Sequence, residues 1–386
     1  MKKQSIALIG ATGSVGKQCL DIFHHFSDYF SPTLMSCHSD WQTLHQLAKP
    51  WPEIPLACTN QDAPALPQNF LSGYKEIIRA IFEHPPDILL IASAGLTAFT
   101  ILQECYPLCP RIAIANKETL ILAGCSGLLN EIQKKCLLMP VDSEHASIHS
   151  LLQGHSLQEL KKVYLTASGG PFYSRPDLDI DWGSITPEQA LKHPSWQMGS
   201  KVTLDSATMA NKGIELLEAY FLFSLRADQL DILIHPKSWI HAVIDWIDGT
   251  STSHIAPPDM RLCIQYALTW PQRLESSYLP SFVWKKLDSL PFVPLDAKNL
   301  AIIQAAYKCI QDPDKAKWLP LVYLAADELG LERFIQGTLS FKAFGPWVLE
   351  TLERLEFEFP LDISTINPSS ILGIYKEILD WIKKGC

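Results

Sequence analysis

Residues 5–16 read SIALIGATGSVG, and this stretch decides the fold of the first part of the chain. The apolar run over residues 5–9 has the length of a strand, and apolar residues at helical spacing follow the glycines. Gly10, Gly13 and Gly16 stand between the two, in the order strand, glycine loop, helix that dinucleotide binding requires. Such glycines let the backbone approach a pyrophosphate at the helix N-terminus. The stretch therefore predicts a dinucleotide site, although a plain tight turn would give the same pattern.

Further apolar runs indicate that this first domain contains a doubly wound parallel sheet. Residues 87–92 and 111–115 are strand-like and are separated by helical segments, which is the βαβ pattern. Residues 51–73 are rich in proline and polar residues, and we interpret them as one long connection. Ligands of such sheets bind beyond the carboxyl ends of the strands. Three polar loops are therefore expected to converge on one crevice: SAGL at 93–96, NKE at 116–118 and DSE at 142–144.

The end of the second predicted strand normally decides between NAD and NADP, because an acidic residue there binds the ribose 2′-hydroxyl of NAD. In this chain the strand-like residues at 33–35 are followed by Ser36, Cys37, His38, Ser39 and Asp40. The two serines and the histidine could donate hydrogen bonds to a 2′-phosphate, which favours NADP. Asp40 would favour NAD if its side chain pointed inwards.

The stretch LMPVDSEH at 138–145 places Asp142 and Glu144 at the end of an apolar run. If the strand continues through them, residues two apart project from one face, so both carboxylates would point the same way. Paired carboxylates form half of a site for Mg²⁺ or Mn²⁺. Two solvated acids that cap the following helix are the simpler interpretation of the same pair.

The segment DSATMANKGIELLEA at 205–219 is the best candidate for the other half of a metal site. We predict one helix over residues 205–223, with its N-cap at Asp205 or Ser206. Gly213 lies in the middle of this helix, where glycine costs about 1 kcal/mol relative to alanine. Its presence there indicates that another group approaches the backbone closely.

Asn211 and Lys212 both neighbour Glu215 on one face of the predicted helix. In the functional interpretation, the amide and the ammonium hold a phosphate while Glu215 reaches the metal. In the simpler interpretation, they form a solvated face with a Lys–Glu pair. Ser168 poses a similar choice, because its glycine turn at 167–172 could bind a phosphate or be an ordinary turn.

Chain length and composition bound the remaining possibilities. A chain of 386 residues is too long for one core. Its net charge of −9 argues against a nucleic-acid or anionic-membrane partner, and no apolar stretch is long enough for a membrane span. Ten cysteines without a C-x-x-C pair favour buried thiols in a reducing compartment, so we expect a cytoplasmic protein.

The pattern of elements predicts an α/β protein with several domains. We expect a Rossmann-like doubly wound parallel sheet, then an α+β catalytic domain, then an all-helical domain. The expected bounds are 1–150 for the NADPH-binding domain, 151–270 for the catalytic domain with a lid near 190–200, 271–295 for a linker, and 296–386 for the helical domain.

Eight motifs occur in the order found in the 1-deoxy-D-xylulose 5-phosphate reductoisomerase family, which the chain resembles from residue 6 to about residue 273. In the helical C-terminal region only length and helical character agree. The motifs are GATGSVG, ANKE, PVDSEH, ASGGPF, HPSWQMG, DSATMANKGIELLEA, IHPKSWIHA and PPDMR.

The resemblance implies rearrangement of 1-deoxy-D-xylulose 5-phosphate and its reduction to 2-C-methyl-D-erythritol 4-phosphate, with NADPH and Mn²⁺ or Mg²⁺, in a homodimer. It implies a metal held by Asp142, Glu144 and Glu215. It implies substrate contacts from Lys117, Ser143, His193 and Trp196, and phosphate contacts from Ser168, Ser206, Asn211 and Lys212. It implies cofactor contacts from Thr12, Gly13, Ser14, Val15, Asn116, Glu118 and Gly199.

The chain departs from the family pattern near the cofactor. Members usually carry a glycine and a basic or amide residue where this chain has Cys37, His38 and Ser39, so His38 is the candidate for the 2′-phosphate. Ser200 replaces an arginine of the family's M-G-R-K sequence, which removes a positive charge and predicts weaker NADPH binding. Residues 256–260 read APPDM where the family has GTPDM.

Two other classes of function compete with this interpretation. One is an NADP-dependent oxidoreductase that needs no metal, although the chain has no Tyr-x-x-x-Lys pair. The other is a non-catalytic NADPH-binding regulator, which would have no use for three converging carboxylates. Metal dependence of turnover separates these alternatives.

Overall fold

A computed structural model of the chain describes residues 3–60, 63, 66–173, 179–192, 199–287, 289–294, 300–359 and 362–385. The chain forms two compact units, which differ from the three domains expected from the sequence. The first comprises Met1–Ala123, Leu128–Ala146 and Asp259–Leu279. The second comprises Gly124–Gly127, Ser147–Pro258 and Pro280–Cys386.

The first unit contains the predicted parallel sheet. It has seven strands in the order β4-β3-β2-β1-β5-β6-β7, and every neighbouring pair is parallel. The strand order changes direction between β1 and β5, which is where a doubly wound sheet binds its ligand. The strands are β1 (Gln4–Ile9), β2 (Phe30–Cys37), β3 (Leu56–Cys58), β4 (Phe70–Ser72), β5 (Ile88–Ile91), β6 (Arg111–Ile114) and β7 (Leu137–Pro140).

Helices alternate with these strands, as the βαβ pattern predicts, and β5 is buried along its whole length. Burial on both faces is expected for a parallel strand covered by helices. The helices are α1 (Ser14–His25), α2 (Trp41–Leu47), α3 (Tyr74–Glu83), α4 (Thr97–Cys105), α5 (Lys117–Cys125), α6 (Leu128–Lys135) and α7 (Ser143–Leu151), followed much later in the chain by α11 (Met260–Thr269).

Two details of the first unit differ from expectation. The segment at 51–73 is not a single connection, because β3 and β4 lie within it and extend the sheet. Residues 259–279 join the first unit, although we expected them in the catalytic domain and the linker. Arg111 explains this, since its guanidinium donates hydrogen bonds to the carbonyls of Leu268 and Trp270.

The second unit is built on a four-stranded mixed sheet in the order β11-β10-β8-β9. Only β8 and β9 pair in parallel; the other neighbours are antiparallel. Its strands are β8 (Leu160–Ala167), β9 (Leu230–Ile234), β10 (Ile240–Trp246) and β11 (Ser251–Ile255). Its helices are α8 (Pro187–Ala190), α9 (Ser200–Thr208), α10 (Ala210–Phe223), α12 (Ala301–Ile310), α13 (Leu319–Ile335), α14 (Phe341–Glu358) and α15 (Ile371–Gly385).

The helix expected over 205–223 is two helices. The break falls at Met209, whose φ of 67° is left-handed and cannot continue a right-handed helix. Asp205 and Ser206 therefore lie inside α9, and the N-cap prediction for them is wrong. The hydroxyl of Thr208 accepts the Ala210 N–H at 3.3 Å at the start of α10.

Helix α10 packs directly against the C-terminal helices, so the expected helical domain and the β8–β11 sheet form one unit. Tyr323 of α13 is fully buried, and its hydroxyl donates to the Ala210 carbonyl at 3.3 Å. A Cβ on Gly213 would lie 2.1 Å from that hydroxyl, which explains the glycine in mid-helix. None of the helices in the described ranges is long and apolar enough to cross a membrane.

We expect Gly213→Ala to lower the free energy of unfolding by about 1–3 kcal/mol, because the added methyl group overpacks a buried contact. Urea denaturation measures this change. Tyr323→Phe removes the clashing hydroxyl and should restore part of the loss in the double variant. The control is Gly373→Ala in α15, where nothing lies within 4 Å of the added Cβ. Equal effects at both positions would contradict the explanation.

Candidate active site

The glycine loop after β1 is closely packed at two of its three glycines. Gly10 has a φ of +95°, and a Cβ there would lie 2.5 Å from the backbone nitrogen of Ser93. A Cβ on Gly16 would lie 2.1 Å from the Gly10 carbonyl oxygen. At Gly13 the nearest atom to an added Cβ is 3.5 Å away, which is ordinary contact. Packing therefore requires glycine at 10 and 16. At Gly13, the N-cap of α1, a Cβ would fit without a clash.

The predicted cofactor residues at the end of β2 differ in burial and in their contacts. Ser36 is buried; its hydroxyl accepts the Gly10 N–H at 3.3 Å and its carbonyl accepts the Ala11 N–H at 2.7 Å. It therefore holds the glycine loop from within the protein. His38 and Ser39 are exposed, and the Nδ1 atom of His38 lies 3.0 Å from the hydroxyl of Thr59.

Asp40 does not point towards the glycine loop to select NAD. Its carboxylate accepts the Thr43 N–H at 3.1 Å and caps α2. The hydrogen bonds from Thr43 lower the pKa of this carboxyl. Because the Asp40 carboxylate caps α2, it gives no reason to expect NAD in place of NADP.

Asn116 joins the loops that follow β5 and β6. Its amide nitrogen donates to the Ser93 carbonyl at 2.5 Å and to the Gly95 carbonyl at 3.2 Å. Its amide oxygen accepts the Thr119 N–H at 2.6 Å and so caps α5. The next residue, Lys117, reaches the loop after β7, so the predicted convergence of the three loops is confirmed.

Asp142 lies at the centre of this convergence, with its side chain 16% exposed. Lys117 Nζ lies 2.5 Å from its Oδ2 atom, and the Nδ1 atom of the fully buried His145 lies 2.8 Å from Oδ1. The Glu144 N–H also donates to Oδ1, at 3.1 Å. Burial alone would raise the pKa of Asp142, but the charge of Lys117 and the bond from His145 hold it well below its usual range.

Asp142 and Glu144 do not lie on a strand, so the predicted projection of both carboxylates from one strand face is wrong. Strand β7 ends at Pro140, and Glu144 belongs to the first turn of α7, which Asp142 caps. The simpler interpretation, that the pair caps the following helix, is confirmed for Asp142, and both side chains are half-buried. Each of the two side chains still offers a carboxylate oxygen within 4.8 Å of the other's. The Ser143 hydroxyl donates to Glu144 Oε2 at 2.6 Å.

In the second unit, Glu215 is buried with the two neighbours predicted for it. The Asn211 amide donates to its Oε1 atom at 2.5 Å, and the buried Lys212 ammonium donates to Oε2. The interpretation as a solvated face is therefore wrong. The opposed charges stabilise each other where neither is well hydrated.

The glycine turn after β8 lies against α9. The Gly170 N–H donates to the Ser168 hydroxyl at 3.1 Å, and a Cβ on Gly170 would lie 3.0 Å from the Ser206 carbonyl oxygen. The structure thus brings two of the predicted phosphate residues near one another. Lys201 anchors the same helix through Asp205 at 2.8 Å and Asp327 at 3.1 Å.

The other predicted residues fall in three groups. His193 and Trp196, and with them most of the expected lid, lie outside the described residues. Gly199 is the N-cap of α9. Around the N-termini of α1 and α5 lie Thr12, Ser14, Val15 and Glu118, all exposed or half-buried.

Two supporting residues, His145 and Thr59, were not predicted from the sequence. His145 follows Asp142 by three residues in the motif DSEH. Because α7 begins at Ser143, this spacing places the two side chains next to each other. Thr59 follows a three-residue strand that the sequence did not reveal.

The lowered pKa of Asp142 predicts a pH-dependent contribution to stability. Its contribution should be fully present above the unfolded-state pKa of about 3.9 and be lost as pH falls towards the lower folded-state value. The wild type should therefore exceed Asp142→Asn by about 2 kcal/mol at pH 7 in urea denaturation, and by less below about pH 4. Removing the main attractive charge with Lys117→Met should shrink the difference. A difference that stays constant from pH 7 to 3 would contradict this assignment.

Comparisons with known proteins agree with the resemblance found in the motifs. Three family models match: "1-deoxy-D-xylulose 5-phosphate reductoisomerase" over residues 6–124, "1-deoxy-D-xylulose 5-phosphate reductoisomerase C-terminal domain" over 138–223, and "DXP reductoisomerase C-terminal domain" over 255–375. The last match extends the similarity into the region where the motifs were thin.

Relatives match over nearly the full chain. The 1-deoxy-D-xylulose 5-phosphate reductoisomerase of Thermomicrobium roseum is 36% identical, covering 90% of each chain, and that of Sulfurihydrogenibium sp. is 33% identical, covering 91% of each. A crystal structure of DOX-P reductoisomerase in complex with NADPH, fosmidomycin and magnesium is similar, with a TM-score of 0.86, 26% identity and coverage of 99% and 98%. The structure of the enzyme from Zymomonas mobilis in complex with NADPH is also similar, with a TM-score of 0.84, 27% identity and coverage of 98% of each chain. The chain belongs to the 1-deoxy-D-xylulose 5-phosphate reductoisomerase family.

Proposed function

We propose that this chain rearranges 1-deoxy-D-xylulose 5-phosphate and reduces the product to 2-C-methyl-D-erythritol 4-phosphate, a step in non-mevalonate isoprenoid precursor synthesis. The chain uses NADPH and a divalent metal ion. The observation that carries the proposal is the cluster at the carboxyl edge of the parallel sheet. There Asp142, Glu144 and Lys117 meet in the unit that also holds the dinucleotide loop.

The glycine loop and the N-terminus of α1 would hold the pyrophosphate of the cofactor. The room beside Gly13 supports this position. Bound NADPH supplies the hydride for the reduction. The contacts would come from Gly10, Thr12, Gly13, Ser14, Val15, Asn116, Glu118 and Gly199, with His38 and Ser39 at the 2′-phosphate. Ser36, which was also predicted as a contact, would act by supporting the glycine loop from within the protein.

The residues present fit a hard divalent cation. Mg²⁺ and Mn²⁺ prefer carboxylate oxygens, and Asp142 and Glu144 offer two within 4.8 Å. Asp142, Glu144 and Glu215 would hold the ion. When bound, it would supply positive charge beside substrate oxygens that become negative as a C–C bond breaks and forms.

The remaining residues bind and orient the substrate. Lys117 and Ser143 contact its oxygens from the starts of α5 and α7. Ser168, Ser206, Asn211 and Lys212 bind the phosphate; the closeness of Gly170 to the Ser206 carbonyl supports this grouping. His193 contacts the substrate and Trp196 covers it, so that water is excluded during the rearrangement.

The proposed assembly rests on the resemblance to the family, and the proposed location rests on the ten scattered cysteines. We propose a homodimer in the cytoplasm, with a small sugar phosphate as its ligand. The net charge of −9 argues against nucleic acid and anionic membranes as partners.

NADPH absorbance should fall when 1-deoxy-D-xylulose 5-phosphate and Mn²⁺ are added, and excess chelator should stop the fall. Glu144→Gln should reduce the rate at least about 100-fold, because a neutral amide binds a divalent ion poorly. The matched control, Glu53→Gln at an exposed position, should keep wild-type turnover.

Three outcomes discriminate the alternatives. No NADPH loss at saturating substrate and metal would refute the reductoisomerase. NADPH loss that survives the chelator would retain a reductase but reject the three-carboxylate site. Binding of NADPH with no turnover of the substrate would favour a non-catalytic regulator.

His38→Ala should raise the KM for NADPH by roughly tenfold and leave kcat and the KM for NADH nearly unchanged, because only NADPH carries the 2′-phosphate. Steady-state kinetics with both cofactors measures this. His45→Ala, on the exposed side of α2, is the matched control. Equal increases in KM for both cofactors would mean that His38 has a structural role instead.

A further inference from the structure

We propose that Lys117 is an internal counter-cation of the metal site, which a divalent metal must displace from Asp142 before it binds. This inference rests on the proposed function, because it assumes that Asp142 ligates a metal. It adds a role for Lys117 that precedes its contact with substrate.

The two oxygens of Asp142 are used differently. His145 Nδ1 at 2.8 Å and the Glu144 N–H at 3.1 Å hold Oδ1 and fix the carboxylate plane. Oδ2 faces Lys117 Nζ at 2.5 Å. The oxygen that points away from the supporting bonds is therefore the one that the ammonium covers.

Local helix electrostatics do not favour an ammonium at this place. Lys117 is the first residue of α5, and Asp142 caps α7, so the positive ends of two helices lie beside the lysine. A cation near a helix N-terminus is unfavourable. The negative charge of Asp142 offsets this, which indicates that the ammonium is held there by that carboxylate.

An ammonium and a divalent ion on the same carboxylate repel each other strongly. A metal at about 2.1 Å from Oδ2 would lie within a few ångströms of Lys117 Nζ, in a site largely shielded from water. Lys117 must therefore move away when the metal binds. Its ammonium then becomes available to a substrate oxygen, so metal and substrate bind with positive coupling.

The second unit repeats this arrangement independently. Lys212 is buried against Glu215, the third predicted ligand. Lys212 is also a predicted phosphate contact. In each unit a lysine assigned to the substrate neutralises a carboxylate assigned to the metal.

Mn²⁺ titration of the full chain without substrate, followed by the electron paramagnetic resonance signal of the free ion, tests the proposal. Lys117→Met removes the competing charge and should tighten Mn²⁺ binding at least about tenfold. Lys117→Gln keeps a hydrogen-bond donor and should bind tighter as well. Lys117→Arg keeps the charge and should bind no tighter than the wild type.

Lys162→Met is the matched control, since Lys162 pairs with Asp231 at 3.3 Å within the sheet of the second unit. It should leave Mn²⁺ affinity unchanged. Mn²⁺ should also raise the Tm of Lys117→Met more than that of the wild type, because the stabilisation by a bound ligand increases with the logarithm of its affinity.

The outcomes separate this inference from the proposed function. If the wild type binds Mn²⁺, Asp142→Asn weakens it, and neither neutral variant tightens it, the counter-cation role is overturned while the metal site stands. If neither the wild type nor the neutral variants bind Mn²⁺, the proposed metal site fails and the inference with it.

Discussion

The carboxylate of Asp142, largely removed from water where β7 meets α7, is the constraint on which the surrounding loops depend. A buried charge is tolerated only if it is paired and hydrogen-bonded. Lys117, His145 and the first N–H groups of α7 meet that requirement together. Because Lys117 follows Asn116, which is tied to the loop after β5, one compensated charge fixes three loop ends at the edge of the sheet.

The same rule governs the second unit, through packing as well as charge. Glu215 and Lys212 are buried as a pair on α10, and Gly213 of the same helix lets the Tyr323 hydroxyl approach its backbone. The pairing at i and i+3 was readable from the sequence, but its burial was not. Tyr323, which packs on α10, lies more than a hundred residues further along the chain. That separation is why the sequence did not reveal that the C-terminal helices pack on α10.

The elements predicted correctly are those that the local sequence pattern determines. The strand, glycine loop and helix at 4–25, and the strands β5 and β6, were correct because apolar runs and glycines determine them. The break at Met209 was not predictable, since no glycine or proline marks it. The strands β3 and β4 have three residues each, too few to show a period. The placement of 259–279 depends on Arg111, whose partners lie more than 150 residues away.

The end of β2 shows why residue type alone leaves cofactor choice open. Asp40 carries the charge that selects NAD in related folds, yet here its oxygens cap α2 and are aimed along the chain. Ser36, which looked like a phosphate donor, is turned inward to the Gly10 N–H. His38 lies just beyond the end of β2, where it is exposed and its Nδ1 atom lies 3.0 Å from the hydroxyl of Thr59. Each of these side chains points in a different direction at the end of β2. That direction decides which of them can meet a 2′-phosphate.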